Sequence, residues 1–366
     1  MGRTAHTDVA VVGAGVIGCM IAHRILDEAP GTRVAVLDRE LIANGATRRS
    51  AGLHFPRGAT ARVRAMAAES QRYYAALKAR RPELPITAVG MTVVAREPAR
   101  ERLAEAYLPE ARLRPVGSVP GGIARVPDGC SAWDGDGCQY ADVAALTQEL
   151  AADLRARVDF REATPVTGLD RGADGVRLAL GTGDTLSARR VVLAPGPWLA
   201  APAWADLVRP LGARVKRIVA LHVERTPAPD DRVVVFHDED AFLLPLHHRG
   251  HWLFSYTCQE WDVSPETGDP GLSPAHRDEA LGLLRRYAPA LVDHCTSGRV
   301  FCDAYGPGFA PLVRPVTDDG RVVFAGAASG SGYRLAPAIA GDVLDALALP
   351  SRTPGSSASS PERTSV

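Results

Sequence analysis

Three glycines near the start of the chain have the spacing of a nucleotide-binding turn. Gly13, Gly15 and Gly18 fit G-x-G-x-x-G between an apolar run at residues 7–12 and a helical pattern at residues 17–26. The first glycine permits a tight turn, the second lets the backbone approach a pyrophosphate, and the third lets the helix pack on the strand. The helix N-terminus would then present free N–H groups to phosphates. The pattern predicts a dinucleotide site.

An acidic residue narrows the choice of dinucleotide. Asp38 ends a second predicted strand, residues 33–37, and lies twenty residues after Gly18. A carboxylate at this position accepts hydrogen bonds from a ribose 2′-OH and repels a 2′-phosphate. NAD or FAD is therefore favoured over NADP.

The order of the later elements favours FAD over NAD. After Asp38 the chain does not continue directly with further βα units, but with the small and polar stretch "LIANGATRRSAGLHFPRG". A loop of this length inside a domain is usually functional. The second half of a nucleotide fold returns much later, first as the helical pattern "DVAALTQELAADLRARV" and then as strands that end in "RVVLAPGPW". The strand, glycine-rich turn and helix of "GRVVFAGAASGSGYRLAPAIAGDVLDAL" complete it.

Six motifs carry a resemblance to a known family. The segments "VVGAGVIG", "VAVLD", "GATRRSAGLH", "VVLAPGPW", "VRPVTDDG" and "GSGYRLAPAI" occur in this order within residues 7–349. They resemble the FAD-dependent oxidoreductases of the D-amino acid oxidase, glycine oxidase and sarcosine oxidase family. The resemblance implies an α/β fold, in which a discontinuous Rossmann-like FAD-binding domain is joined to an α+β substrate domain with a large antiparallel sheet. The β-rich runs "ARVKRIVALHVE", "DRVVVFHD", "AFLLPLHH" and "HWLFSYT" agree with such a sheet.

The same resemblance divides the chain into two discontinuous domains. The FAD-binding domain would comprise residues 1–85, 140–200 and 300–349, and the substrate domain residues 86–139 and 201–299. Residues 350–366 are rich in Ser, Pro and Thr. Such a composition cannot bury a core, so a disordered tail is predicted there.

A set of cofactor-binding residues follows from the glycine motif and the resemblance. Residues 46–53 would line the pyrophosphate and flavin ring, Val166 would pair with adenine through its backbone, and residues 330–332 would donate N–H groups near the flavin pyrimidine. The full predicted set for noncovalent FAD is Gly13, Gly15, Val16, Ile17, Gly18, Asp38, Arg39, Ala46, Thr47, Arg49, Ser50, Ala51, Gly52, Leu53, Val166, Pro195, Gly196, Trp198, Gly330, Ser331, Gly332, Tyr333 and Arg334.

Two arginines are the main candidates for substrate binding. By the resemblance, Arg314 in "LVRPVTDDG" matches the arginine that holds the substrate carboxylate in glycine oxidase-like members. Arg334 in "GSGYRLAP" stands where sarcosine oxidase-like members place a lysine with the same role. A guanidinium can grip a carboxylate through two parallel hydrogen bonds. The alternative for each arginine is a surface or structural ion pair.

Further candidates lie in the flavin loop and on the predicted roof strands. His54 and Tyr333 are predicted near the flavin ring, with a solvated loop position and core packing as their respective alternatives. Tyr256 and Trp252 lie on a predicted roof strand, where packing is the alternative role. Of the neighbouring residues 247 and 248, both histidines, strand alternation lets only one face the site.

Some positions depart from the family pattern. Sarcosine oxidase-like members attach FAD through a cysteine where this chain has residues 311–313, "PLV", so noncovalent FAD is expected. Other members use a lysine near the flavin to help oxygen react, and that position is occupied here by Trp261. The chain has two lysines, Lys78 and Lys216, and neither is predicted near this position. The link between "VRPVTDDG" and the last strand is shorter than in most members.

Composition excludes several classes of partner. Lys+Arg and Asp+Glu are both 42, which gives no electrostatic reason to expect nucleic acid. None of the six cysteines forms C-x-x-C, so no metal site is predicted and free thiols in a reducing cytoplasm are expected. No apolar run is long enough to span a membrane. The expected partners are a small amine or amino acid and O2, and the oligomeric state is not readable.

The resemblance implies oxidation of the C–N bond of an amino acid or N-substituted amino acid. Hydride transfer to flavin N5 would give an imine that water hydrolyses, with O2 as the electron acceptor. One alternative is a dehydrogenase that passes electrons to another acceptor. A second alternative is a flavoprotein without turnover that serves as a partner of other proteins.

Overall fold

The computed structural model describes residues 4–267 and 271–349, so the predicted tail lies outside the described residues. In chain order the strands are β1 (Thr4–Val12), β2 (Val34–Leu37), β3 (Leu53–His54), β4 (Ile86–Ala88), β5 (Met91–Arg96), β6 (Arg114–Val116), β7 (Cys130–Gly135), β8 (Gln139–Ala141), β9 (Val158–Arg161), β10 (Val166–Gly172), β11 (Gly175–Leu180), β12 (Thr185–Leu193), β13 (Arg214–Val223), β14 (Val233–Phe236), β15 (Ala241–Leu246), β16 (His251–Tyr256), β17 (Cys295–Tyr305), β18 (Leu312–Pro315) and β19 (Val322–Gly326). The helices are α1 (Val16–Glu28), α2 (Ala46–Arg49), α3 (Ala61–Arg80), α4 (Arg100–Ala106), α5 (Val143–Leu154), α6 (Ala205–Val208), α7 (Pro274–Tyr287) and α8 (Gly332–Ala346).

The first large sheet is built around parallel strands. Its order is β10-β11-β12-β1-β2-β9, with β19 also paired to β12 and β18 paired to β19. Val12 lies in register with both Leu37 and Leu193, so β1, β2 and β12 end at the same edge. In α/β sheets, ligands bind outside the carboxyl ends of such strands. The residues that follow these ends, Gly13 and Asp38, are therefore neighbours.

Helices α1, α5 and α8 cover one face of this sheet, and α3 packs on α8. The apolar residues of α1 are spaced for one buried face, and Met20, Ile21 and Ile25 are completely buried. Helices α3 and α7 each begin after a capping residue. The side chain of Thr60 accepts a hydrogen bond from the first turn of α3, and that of Ser273 accepts one from the first turn of α7.

The second large sheet forms the opposite side of the site. Its order is β17-β13-β16-β15-β14-β5-β7-β6, and all pairs are antiparallel except β14 with β5. Side chains alternate between the two faces of a strand. On β13, Val219 and Leu221 pack with α7, whereas Ile218 and Ala220 point to the other face. This alternation decides which residues can reach a ligand.

The predicted fold class is confirmed, and the elements refine its details. The four predicted roof runs form β13, β14, β15 and β16. The predicted domain boundary at residue 300 falls inside β17, which belongs to the second sheet. Within the long loop after Asp38, the chain forms α2 and β3, and β3 joins β8 and β4 in a small third sheet. Among the described residues, the helices are too short or too polar to cross a membrane.

Candidate active site

A cavity of about 1090 Å³ is lined by the carboxyl edge of the first sheet and by one face of the second. Every residue that the sequence predicted to bind the cofactor contributes to its walls. Residues 13–18 and 38–39 lie along one part, residues 164–166 line the wall beyond Asp38, and residues 330–334 line another part. The structure thus gathers segments from across the chain at one site.

The glycine turn is built for close approach of backbone to backbone. Gly13 has φ +111°, and a Cβ at this position would overlap the carbonyl oxygen of Ala194. A Cβ on Gly18 would in turn overlap the carbonyl oxygen of Gly13, so α1 could not pack against the turn. Gly15 precedes α1 without a side-chain cap, and the first turn of α1 contains no acidic residue. The positive end of α1 is therefore available to an anionic group in the cavity.

Asp38 is held at the edge of the sheet by backbone donors. Its Oδ2 accepts from the Ala14 N–H at 2.6 Å, and its Oδ1 accepts from the Glu40 N–H at 2.9 Å. Burial raises the pKa of Asp38, and these two N–H groups oppose that shift. Each carboxylate oxygen retains a further lone pair, which suits the ribose contact predicted from the sequence.

Two arginines meet in another part of the cavity. Nη2 of Arg334 donates to Ser331 Oγ at 2.6 Å, and its Nη1 donates to the carbonyl of Arg57 at 3.1 Å. Burial, reinforced by the positive charge of Arg57, lowers the pKa of Arg334 to about 10. Arg57 also lines the cavity, and its Nη1 lies 3.7 Å from Asp240 Oδ1. The two guanidinium groups, together with the Asp240 carboxylate beside Arg57, form a region of net positive charge that suits a carboxylate.

A family model described as DAO, FAD dependent oxidoreductase, matches residues 8–346. The chain belongs to this family. Its cofactor is accordingly FAD, and the protein is an oxidoreductase. No curated protein sequence matches the chain significantly.

Solved structures of this FAD-dependent family have the same fold. Glycine oxidase from Geobacillus kaustophilus is 18% identical and has a TM-score of 0.77, with 94% of this chain and 95% of that chain covered. L-proline dehydrogenase from P. horikoshii is 15% identical with a TM-score of 0.79 and 94% of both chains covered. L-amino acid deaminase from Proteus vulgaris is 15% identical with a TM-score of 0.75 and 95% of both chains covered. At these identities the similarity extends to the fold alone.

The residues of the cavity fit FAD. The glycine turn and the N-terminus of α1 suit its pyrophosphate, and Asp38 suits its adenosine ribose. At the same end, the Arg39 guanidinium lies over the Trp198 ring at 5.3 Å and pairs with Glu266. Among the described residues, no cysteine lines the cavity, so a cysteinyl link to the flavin has no candidate there.

The predicted substrate role of Arg314 is not supported by its position. Arg314 is exposed on β18, its Nη1 donates to the carbonyl of Val313, and it does not line the cavity. The side chain of Val313 packs in the core against α8. Because side chains alternate along a strand, that of Arg314 points away from this core. The short link to β19 closes a tight hairpin, in which the Val316 N–H donates to the carbonyl of Val322, and this hairpin keeps Arg314 at the edge of the sheet.

Two further predictions are corrected by strand alternation. His54 is completely buried and does not line the cavity; its ring contacts Tyr74 edge-on at 6.1 Å, and burial lowers its pKa to about 4. On β3 it is Leu53 that faces the cavity. Tyr256 is among the residues that line the cavity, but its ring packs in the core beneath α7 and its hydroxyl donates to Glu279 at 2.8 Å. These contacts suit a packing role for both side chains.

The other roof candidates also lie away from the cavity. Trp252 is completely buried on the face covered by α7. Residues 247 and 248 form a 3₁₀ turn after β15 rather than part of a strand, and neither lines the cavity. The expected alternation between them therefore does not apply, because the chain is no longer extended at this point.

The loop before α8 is only partly available to the flavin. The Gly330 N–H donates to Asp303 Oδ2 at 3.0 Å, and the Ser331 N–H donates to the carbonyl of Ala328 at 2.9 Å. Two of the three N–H groups predicted to face the flavin are thus already bonded. Tyr333 lines the cavity as predicted, but its ring stacks on Tyr74 with 4.7 Å between centroids, which suits the packing alternative.

Two charged cavity residues on β17, together with Arg57, were missed in the sequence. Arg299 and Asp303 both line the cavity, and their spacing of four places them on one face of the strand. Nη2 of Arg299 lies 3.4 Å from the carbonyl oxygen of Ser50, and burial lowers the pKa of Arg299 to about 10. No strand was predicted at these positions from the sequence; the available signal was the spacing of Arg299, Phe301 and Asp303, which are two residues apart and so share one face of an extended segment. For Arg57, the signal was its place in the flavin loop.

Asp303 should make stability depend on pH. Burial raises the pKa of this carboxyl from 3.8 to about 6. Between these values the native state binds more protons than the unfolded state, so stability falls as pH rises from about 4 to about 6. The loss amounts to about 3 kcal/mol, because one pKa unit corresponds to about 1.4 kcal/mol. Denaturant unfolding of wild type and Asp303→Asn should give a difference curve that falls across this range. A flat difference curve would contradict the assignment.

A lysine lies closer to Trp261 than the sequence predicted. Nζ of Lys216 is 4.8 Å from the centre of the Trp261 ring and 5.2 Å from that of Tyr305. Lys216 is 2% exposed, and burial lowers its pKa. Tyr305 itself lines the cavity. The expectation that neither lysine lies near this position was wrong, because β13 and the segment after β16 are distant in sequence and adjacent in space.

Three potential metal ligands come together behind the second sheet, although no ligand spacing is visible in the sequence. Ligand atoms of Cys258, Glu260 and His276 lie within 4.8 Å of one another. Glu260 Oε2 is already engaged by Nε of Arg217 at 2.8 Å and by Nε2 of His276 at 3.0 Å. These contacts account for the cluster as an ion-pair network.

Proposed function

We propose that this FAD-dependent protein oxidises the C–N bond of an amino acid or an N-substituted amino acid and uses O2 as electron acceptor. The observation that carries the proposal is the convergence of Arg57 and Arg334 in the FAD cavity. Their guanidinium groups supply enough N–H donors for both oxygens of a substrate carboxylate. Arg334 is positioned for this by its bonds to Ser331 and to the Arg57 carbonyl.

The cationic region also favours the reactive form of the amine. Two guanidinium groups and the apolar side chains of the opposite wall disfavour an ammonium group nearby, because like charge and burial both penalise the charged form. A neutral amine can release electron density to the carbon that loses hydride. The chain therefore does not require a dedicated general base for this step.

FAD, held by the glycine turn, the N-terminus of α1 and Asp38, would supply the acceptor, at its N5, for a hydride that leaves the substrate. The substrate loses this hydride from Cα and a proton from nitrogen, so that a C=N bond forms, and water then converts the imine into a carbonyl compound and ammonia, or an amine if the nitrogen is substituted. O2 takes up the two electrons with two protons and leaves as H2O2. The side chains of the cavity supply orientation: a carboxylate fixed by two arginines leaves Cα few directions in which to face the flavin.

Lys216 supports O2 as the acceptor. Reduction of oxygen develops negative charge, and a preorganised buried cation stabilises such charge. Lys216 does not itself line the cavity, but its Nζ lies 5.2 Å from the centre of the ring of Tyr305, which does. A dehydrogenase that uses another acceptor is the alternative within the same fold.

Anaerobic reduction of the flavin tests the proposal. The purified holoprotein is mixed without oxygen with glycine, sarcosine, D- and L-amino acids and N-alkyl amino acids, and its visible spectrum is followed. Bleaching by an amino acid, followed by recovery within seconds in air, is the expected result. If the flavin absorbance recovers slowly in air but rapidly when a quinone is added, the protein is a dehydrogenase with another electron acceptor rather than an oxidase. A yellow protein that no amine bleaches would overturn the proposal.

A further inference from the structure

The cavity wall formed by the second sheet is largely apolar. Ile218, Phe242 and Phe301 come from three different strands and point to the same face. All three remain partly exposed, since that face borders the cavity. We refer to Ile218, Phe242 and Phe301 as the apolar wall.

Three aromatic residues extend this surface. Trp261, Tyr305 and Phe309, the aromatic rim, pack edge to face with ring centroids 5.2 Å, 6.5 Å and 6.2 Å apart. Tyr305 and Phe309 line the cavity, and Trp261 supports them from behind. Edge-to-face packing fixes the ring orientations. The rim is therefore a preformed apolar surface.

Phe309 stands out by both exposure and backbone conformation. Leu41 and Phe309 are the large apolar side chains exposed among the described residues, at 61% and 59%, and of these two only Phe309 lines the cavity. Phe309 has φ +57°, which is strained for a bulky side chain. Strain of this kind persists where the surrounding structure holds the residue in place, and it is often found at active sites and ligand-binding segments. The chain thus maintains an exposed aromatic ring at the cavity at a cost in free energy.

The charged side chains of the same strand face are only partly engaged by other residues. Nη2 of Arg299 lies 3.4 Å from the carbonyl oxygen of Ser50, while its buried Nε has no hydrogen-bond partner among the described residues. The carboxylate of Asp303 accepts from two backbone N–H groups, those of Ala304 and Gly330. A polar substrate group placed against the apolar wall would lose its hydration without gaining an equivalent partner. The wall therefore selects against polar substituents.

We propose that the apolar wall and the aromatic rim form a subsite for a large apolar substituent, aliphatic or aromatic, of the amino acid substrate. This inference rests on the proposed function and names the substrate class of the same site. Arg57 and Arg334 hold the carboxylate, and the substituent extends towards Phe301 and Phe309. Small amino acids such as glycine have no side chain that covers the apolar wall and the aromatic rim. These surfaces then remain exposed to water, and small amino acids are therefore poor substrates.

A homologous series of substrates tests the proposal. The rate constant of anaerobic flavin reduction and the substrate Kd are measured for glycine, alanine, leucine and phenylalanine, each in the stereochemistry that bleaches the flavin, and for N-methyl and N-benzyl glycine. Each additional buried methylene should raise the ratio of rate constant to Kd by about fourfold. Equal ratios for small and large substrates would overturn the subsite.

Two substitutions of exposed side chains locate the effect. Phe309→Ala should lower the ratio for phenylalanine-sized substrates by about two- to tenfold, the size of one aromatic contact, and leave alanine unchanged. Phe309→Leu should restore most of the loss. Leu41→Ala removes an equally exposed apolar side chain outside the cavity and should change neither substrate. A uniform loss for all substrates in Phe309→Ala would indicate a structural role and overturn the assignment.

Failure of the subsite and failure of the proposed function give different results. If no amine bleaches the wild-type flavin, the oxidation chemistry itself is wrong. If glycine or sarcosine bleaches it as efficiently as phenylalanine or N-benzyl glycine, the chemistry stands and the subsite is rejected.

Discussion

Replacing Arg334 by leucine lowers kcat/KM for every amino acid substrate by about 10²- to 10⁴-fold, because hydrogen bonds to charged groups contribute about 1.5–3 kcal/mol each and two are lost. The effect should be large because burial separates this guanidinium from water. Leucine can still pack on Phe55, where the guanidinium lies 4.9 Å from the ring. The variant should therefore fold and retain FAD. Stopped-flow flavin reduction measures the loss.

Two companion variants define what this result means. Arg334→Lys keeps the charge but not the planar pair of donors, and should recover only part of the lost kcat/KM. Arg314→Leu changes an exposed side chain outside the cavity and should leave kcat/KM unchanged. The roles of the two arginines would have to be exchanged if Arg314→Leu were impaired and Arg334→Leu were not.

Gly13→Ala abolishes stable FAD binding and raises the Kd for FAD by at least about 100-fold. Its φ of +111° is unfavourable for alanine, and the new Cβ would overlap the carbonyl oxygen of Ala194. The turn must open to relieve this contact, and opening it displaces the N-terminus of α1 from the pyrophosphate site. The ratio of absorbance at 450 nm to that at 280 nm in the purified protein reports the FAD content.

Two other glycines separate loss of FAD from loss of folding. Gly31→Ala adds a methyl group that meets nothing within 4 Å, so FAD content should equal that of wild type. Gly15→Ala has an ordinary φ of −75°, and its Cβ would meet only the Thr47 side chain at 3.0 Å. It should fold, as circular dichroism can verify, and still bind FAD more weakly. Full FAD occupancy in Gly13→Ala would refute the geometry of the turn.

The nucleotide half of the site was predictable because its determinants are local. Gly13, Gly15 and Gly18 encode a turn within one βα unit, and Asp38 follows the next strand. All the predicted cofactor residues line one cavity. The backbone bonds of the last loop were not predictable, because the partner of the Gly330 N–H is Asp303, a side chain of the other sheet.

The substrate half was predicted less well because it depends on which face of a strand a residue occupies. Val313 enters the core, so Arg314 cannot, and Leu53 faces the cavity, so His54 does not. A shift of one residue reverses the direction of a side chain. Sequence motifs place such residues on the correct strand but do not determine the face.

By itself, the amino-acid sequence determined the βα unit that receives the cofactor through short-range spacing, and it determined the family and FAD through six short motifs and their order along the chain. Only the tertiary structure decided that Arg57 meets Arg334 and that Lys216 meets Trp261. Residues so distant in sequence become neighbours through the packing of two sheets, and that packing depends on the whole chain rather than on any local pattern.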